Sequence, residues 1–193
     1  MSNHSAPGSR VSARSRNHHA AHREDDVQAA IPDLPLVHRG EAALVADAAG
    51  LQQLLGVLRE DGCFAYDTEF ISEESYFSRT CLVQVASRST LALIDPLATQ
   101  GGQPLDLAPF WSLVADPSVI KIVHAGDSDV EPVVRHLGRA PANIFDTQIA
   151  AAFLGLPYPV SLKKLVAEMT GAPMGKDMGF SDWRARPLSA AQR

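Results

Sequence analysis

Asp67-Thr68-Glu69-Phe70 closes the apolar run Cys63-Phe64-Ala65-Tyr66. Asp129 follows a second apolar run, Val119-Ile120-Lys121-Ile122-Val123, by way of His124-Ala125-Gly126. Side chains two apart on a strand share a face, so Asp67 and Glu69 project together. Two paired carboxylates joined by a third from another element make an oxygen-rich pocket suited to hard divalent cations. Such a pocket suits phosphodiester hydrolysis by two metal ions. Taken alone, an acid-x-acid pair is common on surface strands and turns. Here the pair ends a strand that reads as buried, where uncompensated acids repel one another unless a cation or a helix N-terminus meets them.

Each of these residues also has a plainer reading. Asp129, with Asp127, suits the first turn of a helix by complementing its dipole. His124 is either a satisfied core histidine or a pocket residue. Asp146-Thr147 reads as a helix cap before it reads as a ligand. Phe70 either packs or stacks on a terminal base. Trp183 and Arg184 either touch substrate or anchor the end of the fold.

The elements that must position these residues follow from periodicity. A short strand near Ala43–Val45 leads to Asp47, an N-cap, and to a helix with Leu51, Leu54, Leu55 and Leu58 on one face. Strands are expected at about Cys63–Glu69, Cys81–Ser87 and Leu91–Ile94, the last two joined as a hairpin by Arg88-Ser89-Thr90. A helix through Leu107–Val114 precedes the strand Val119–His124. The next helix runs from near Asp127 to Leu137, stopped by Gly138. Ile144-Phe145 forms a brief strand, Asp146 caps a helix over Thr147–Leu154, and a further helix spans about Leu162–Met169. Hairpins first, then strands alternating with helices, predict an α/β fold with a mixed sheet flanked by helices.

Length and composition bound the rest. The 193 residues suffice for one domain with a real core, here residues 35–193. Residues 1–34 read as a disordered tail, rich in Ser, His, Arg and Ala and nearly free of large apolar side chains. Residues 1–23 contain Arg10, Arg14, Arg16 and Arg23 and no acid. They carry +4 of a total of −5, which leaves −9 on the remainder. That tail reads as a solvated segment, with a basic arm on nucleic acid as the alternative. An acidic body is not the usual footprint of a nucleic-acid binder, although bound metal ions would offset part of the charge. No apolar run is long enough to span a bilayer. Cys63 and Cys81, both in expected strands and without zinc-site spacing, read as reduced thiols of a cytoplasmic protein.

Six ordered segments then resemble one family. Asp67-Thr68-Glu69-Phe70, Tyr76 and Cys81-Leu82-Val83-Gln84-Val85-Ala86 are similar to the first exonuclease motif of ribonuclease D-like proteins, and Leu93-Ile94-Asp95-Pro96 to the hairpin that follows it. His124-Ala125-Gly126-Asp127-Ser128-Asp129 resembles the second motif, with Asp129 at the catalytic position. Asp146-Thr147-Gln148 and Ser181-Asp182-Trp183-Arg184-Ala185-Arg186-Pro187-Leu188 complete the likeness, which covers about Leu36 to Arg193. It implies a ribonuclease H-like fold and a 3′-to-5′ exonuclease of the four-carboxylate superfamily. Asp67, Glu69 and Asp129 are then catalytic and hold two Mg²⁺ or Mn²⁺ ions. Thr68, Phe70 and His124 are substrate-binding, and single-stranded RNA or DNA 3′ ends are the partners, RNA first.

One departure bears on activity. The family's third motif, a tyrosine followed four residues later by the fourth acid, belongs just past Gln192, and the given sequence stops at Arg193. Asp177 and Asp182 are near but belong to a loop and to the Asp-Trp segment. The expectation is a weak or inactive exonuclease with an exposed apolar strip where the last helix would lie. The competing readings are a non-catalytic nucleic-acid- or protein-binding module of the same fold, and a DNA-directed exonuclease.

Overall fold

The computed structural model describes residues 38, 40–71, 76–100, 103–174 and 181–192. The tail expected over 1–34 and the loop residue Asp177 lie outside the described residues. In chain order the elements are β1 (Ala43–Val45), α1 (Ala48–Asp61), β2 (Cys63–Ile71), β3 (Arg79–Ser87), β4 (Leu91–Ile94), β5 (Thr99–Gln100), β6 (Gln103–Pro104), α2 (Ala108–Val114), β7 (Ile120–Val123), α3 (Asp127–Leu137), β8 (Ile144–Asp146), α4 (Thr147–Phe153) and α5 (Leu162–Thr170). A 3₁₀ turn follows at Ala190–Gln192. The small β5–β6 ribbon and this turn were not legible in the pattern, because two-residue strands and single turns carry no periodicity.

Local chemistry explains the boundaries. The Asp47 carboxylate accepts the Gly50 amide at 2.8 Å and starts α1. Gly138, at φ 61°, ends α3 with its amide donating to the Val134 carbonyl. The Asp146 carboxylate accepts the Gln148 and Ile149 amides and starts α4, as its position before Thr147 suggested.

The sheet order is β1-β4-β3-β2-β7-β8. Strand β3 is antiparallel to both β2 and β4, the latter being the expected hairpin, while β1–β4, β2–β7 and β7–β8 pair in parallel. This is the mixed α/β sheet that the order of elements implied. The leucine face of α1 packs with Phe64, Tyr66, Val83 and Val85 of the sheet and with Phe110 and Trp111 of α2 in the main core. A smaller cluster joins Cys81, Leu82 and Leu93 to Trp183 and Leu188, so the tryptophan anchors the end of the described chain. Both cysteines are free thiols. Among the described residues no helix is long and apolar enough to cross a membrane.

Candidate active site

Strand alternation sets the first part of the site. Phe64, Tyr66 and Thr68 of β2 are buried toward the main core, and Asp67 and Glu69 project from the opposite face, as their spacing requires. Opposite Glu69 and Phe70 the ladder slips. Glu69 pairs with Leu82 and Phe70 with Thr80, which leaves Cys81 as the extra residue of a bulge. Bulges interrupt the ladder and re-aim the side chains beside them. The Cys81 carbonyl accepts Arg186 Nη2 at 2.8 Å. The same guanidinium grips Asp95 bidentately, Nε to Oδ2 at 2.6 Å and Nη2 to Oδ1 at 2.7 Å. Glu69 Oε1 in turn accepts Gln84 Nε2 at 3.2 Å.

The turn before α3 sets the second part. Ala125 stands at φ 54°, a region that a residue with a Cβ enters at a cost of about 1–3 kcal/mol. It is held there because the Asp146 carboxylate accepts the amides of Ala125 at 3.2 Å and Gly126 at 3.0 Å. A Cβ on Gly126 would lie 2.5 Å from Val123 Cγ2, so only glycine fits. Burial pushes the Asp146 carboxyl up, but four backbone amides outweigh it and hold it below the usual carboxylate range. Asp146 is thus both the cap of α4 and the clamp of the turn that delivers Asp129. The sequence suggested the cap alone, since a clamp across 20 residues has no local sign.

Asp129 is 6% exposed. Its Oδ1 accepts the Thr68 amide at 2.8 Å and the Thr68 hydroxyl at 2.6 Å. The Tyr66 hydroxyl donates to the Asp129 carbonyl at 3.2 Å. Burial raises the Asp129 carboxyl above its ordinary value, against the two Thr68 donors, which pull it down. Burial, then the Asp129 charge, likewise raises Tyr66, so the phenol stays protonated. Asp129 therefore does more than complement a helix dipole: it docks α3 onto β2 at the residue between Asp67 and Glu69.

The other expected residues fall as follows. Thr68 is buried, with its amide and hydroxyl both given to Asp129. Phe70 is partly exposed just past the bulge. His124 Nδ1 lies 2.9 Å from Thr147 Oγ1, and Nε2 donates to the Val160 carbonyl at 3.0 Å, tying β7 to the segment before α5. The histidine also lines a cavity of about 270 Å³ with Asp67, Gln84 and Leu162. His124 is thus a half-buried, hydrogen-bonded residue at the border of a cavity. Asp182 is exposed, and the Arg184 amide and side chain hold its carboxyl low.

The donors have the chemistry of a hard-cation site, but the described residues do not close one. Asp129 reaches β2 from the Thr68 side, whereas Asp67 and Glu69 leave from the other. Among the described residues no three Asp, Glu, His or Cys side chains are gathered closely enough to hold a metal ion.

Four likenesses complete the picture. The sequence profile of a 3′-5′ exonuclease family matches residues 43–193. A protein named Ribonuclease D from Gluconacetobacter diazotrophicus is 40% identical over 152 residues, which is 79% of this chain and 38% of that protein. The crystal structure of Escherichia coli RNase D, described as an exoribonuclease involved in structured RNA processing, superposes with a TM-score of 0.70 at 33% identity. It covers 79% of this chain and 40% of its own. The catalytic core of RRP6 from Trypanosoma brucei superposes with a TM-score of 0.66 at 25% identity, over 85% of this chain and 47% of that one. The chain spans about two fifths of the length of the curated relative it matches.

Proposed function

Because this chain belongs to the 3′-5′ exonuclease family and is ribonuclease D-like in sequence and fold, we propose that it carries the catalytic carboxylates of a 3′-to-5′ exoribonuclease acting on single-stranded RNA ends in the cytoplasm. One observation carries this reading. Thr68, between Asp67 and Glu69, receives Asp129 through two short hydrogen bonds, so an acid from a distant stretch of chain is docked on the same stretch of β2 as the pair. Asp67, Glu69 and Asp129 would hold two Mg²⁺ or Mn²⁺ ions, which when bound lower the pKa of a water and stabilise the leaving 3′ oxygen.

The chain's own residues do the positioning. Asp146 and Gly126 shape the turn that presents Asp129. Thr68 fixes one carboxylate oxygen and leaves the family's substrate grip to its own carbonyl and to the Phe70 ring. His124 holds the α5 side of the cavity that Asp67 lines.

The test is release of nucleotides from 3′-labelled single-stranded RNA with Mn²⁺, compared with Asp67→Asn. Release by the unsubstituted chain that Asp67→Asn abolishes supports the reading. No release, with RNA still bound, favours the second reading, a non-catalytic nucleic-acid-binding module, to which the unclosed carboxylate set points. Faster cleavage of DNA than RNA ends would instead favour a DNA-directed enzyme.

A further inference from the structure

Beside the carboxylates lies a cavity of about 330 Å³ lined by Thr68, Phe70, Ser128, Tyr76, Phe77 and Arg135. Thr68, Phe70 and Ser128 are each the immediate chain neighbour of one of the three acids, so this cavity opens beside them. It shares Phe77, Ser78, Thr80 and Arg135 with a second cavity of about 460 Å³, which continues toward Arg79 and His136. The two make a path that starts at the acids and passes Arg135.

The walls of that path have the chemistry of a single strand. Tyr76 is 95% exposed and meets Phe77 edge to face at 5.0 Å between ring centres. The Arg135 guanidinium sits 5.5 Å from the Phe77 ring centre and donates Nη1 to the Ser78 carbonyl at 2.9 Å. Its Nε is buried with no hydrogen-bond partner among the described residues, and it is ion-paired with Glu131 Oε2 at 3.7 Å. Along the two cavities the two arginines, Arg79 and Arg135, match the two acids, Asp106 and Glu131, so the path is locally balanced in charge on a body that is acidic overall. Exposed aromatics beside cationic groups are how proteins hold single-stranded nucleic acid without reading its sequence.

We propose that Arg135, Tyr76 and Phe77 form an upstream subsite that holds an internal phosphate and a stacked base of single-stranded nucleic acid, several nucleotides from the end at the carboxylates. The proposal rests on the exonuclease reading and adds a track to it. Arg135 is the phosphate donor, Tyr76 the stacking platform, and Glu131 the competing anion that tempers the affinity.

The experiment uses the full chain in EDTA with 5′-fluorescein oligouridylates of two and eight nucleotides, read by fluorescence anisotropy at several NaCl concentrations. Arg135→Gln is expected to weaken the eight-nucleotide probe by about 5–10-fold and to lower the salt slope by about 0.7, while leaving the dinucleotide unchanged. Tyr76→Ala is expected to weaken the longer probe about 5-fold or more through lost stacking, with the salt slope kept. Glu131→Gln, at an exposed side chain, should tighten the longer probe, and it keeps the test open should Arg135→Gln loosen the Ser78 contact and lower the melting temperature. Unchanged binding of the longer probe in both Arg135→Gln and Glu131→Gln would overturn the subsite alone. Failure of the unmodified chain to bind either probe would overturn the exonuclease reading and the subsite with it.

Discussion

The two faces of the sheet are built to different standards. Against one, α1, α2 and α3 bury Leu55, Leu58, Phe110, Trp111 and Val133 almost completely, with Phe64, Tyr66, Val83 and Val85 as the floor. Against the other, Trp183 and Leu188 cover Leu82 and Leu93 of β3 and β4, whereas α5 has no buried residue and α4 buries Ala151 alone. There Phe153 is 89% exposed and Leu154, Tyr158 and Met169 are largely so. The sharp face carries Thr68 and receives Asp129, while the open face carries Asp67 and Glu69. A carboxylate can be held below the surface only where dense packing supplies fixed donors. The looser side leaves Asp67 exposed and Glu69 partly so, and it exposes the apolar side chains of Phe153 and Leu154.

This contrast can be broken in steps. Asp129→Asn in a form that turns over should reduce cleavage of 3′-labelled RNA by about 10²–10³ or more, without lowering the melting temperature at neutral pH, because it removes a buried charge. A parallel loss of folding would place Asp129 among structural residues instead. Trp111→Ala should cost about 3–5 kcal/mol by urea unfolding, since it empties a site in the dense core. A cost below 1 kcal/mol would mean that this side packs no better than the other.

Thr68→Val should cost about 1.5–3 kcal/mol by removing a donor to a carboxylate, and it should reshape the pH dependence. The Asp129 carboxyl is raised in the folded state from an ordinary value of 3.8. The native protein therefore holds that proton more tightly than the unfolded chain does. The contribution of Asp129 to stability is most favourable below the unfolded value, falls as pH rises to the folded one, and is flat above it. Loss of the Thr68 hydroxyl pushes the folded value further up and extends the fall to higher pH, as melting curves in EDTA would reveal. Identical profiles for the two proteins would refute that link. Phe153→Ser, on the open face, should change stability by less than about 0.5 kcal/mol and increase solubility. A larger loss would show the residue to be packed.

Much of this was legible from spacing. The leucines of α1, the caps at Asp47 and Asp146, the stop at Gly138 and the hairpin of β3 and β4 are short-range consequences of periodicity and capping, and each lies where the pattern required. The pairing of Asp67 with Glu69 on one face follows from the two-residue repeat of a strand. Lys121 was not legible. In β7 it reads as a break in an apolar run, yet it is fully buried because the carbonyls of Asp116 and Val119 take its ammonium. The clamp of Arg186 on Asp95 and on the bulge at Cys81 was equally hidden, since it spans 91 residues.

Residue order thus dictated which elements form, where they start and stop, and which acids share a strand face, because helix and strand repeats and end caps act over a handful of positions. Folding in three dimensions assigned the partners. It brought Asp129 to Thr68 across 61 residues, gave Asp146 its second duty, tied Arg186 to the bulge beside Glu69, and made one face tight and the other open. Contacts of that span depend on how the sheet stacks its strands and on which helix lands on which side, and no local pattern in the chain encodes that.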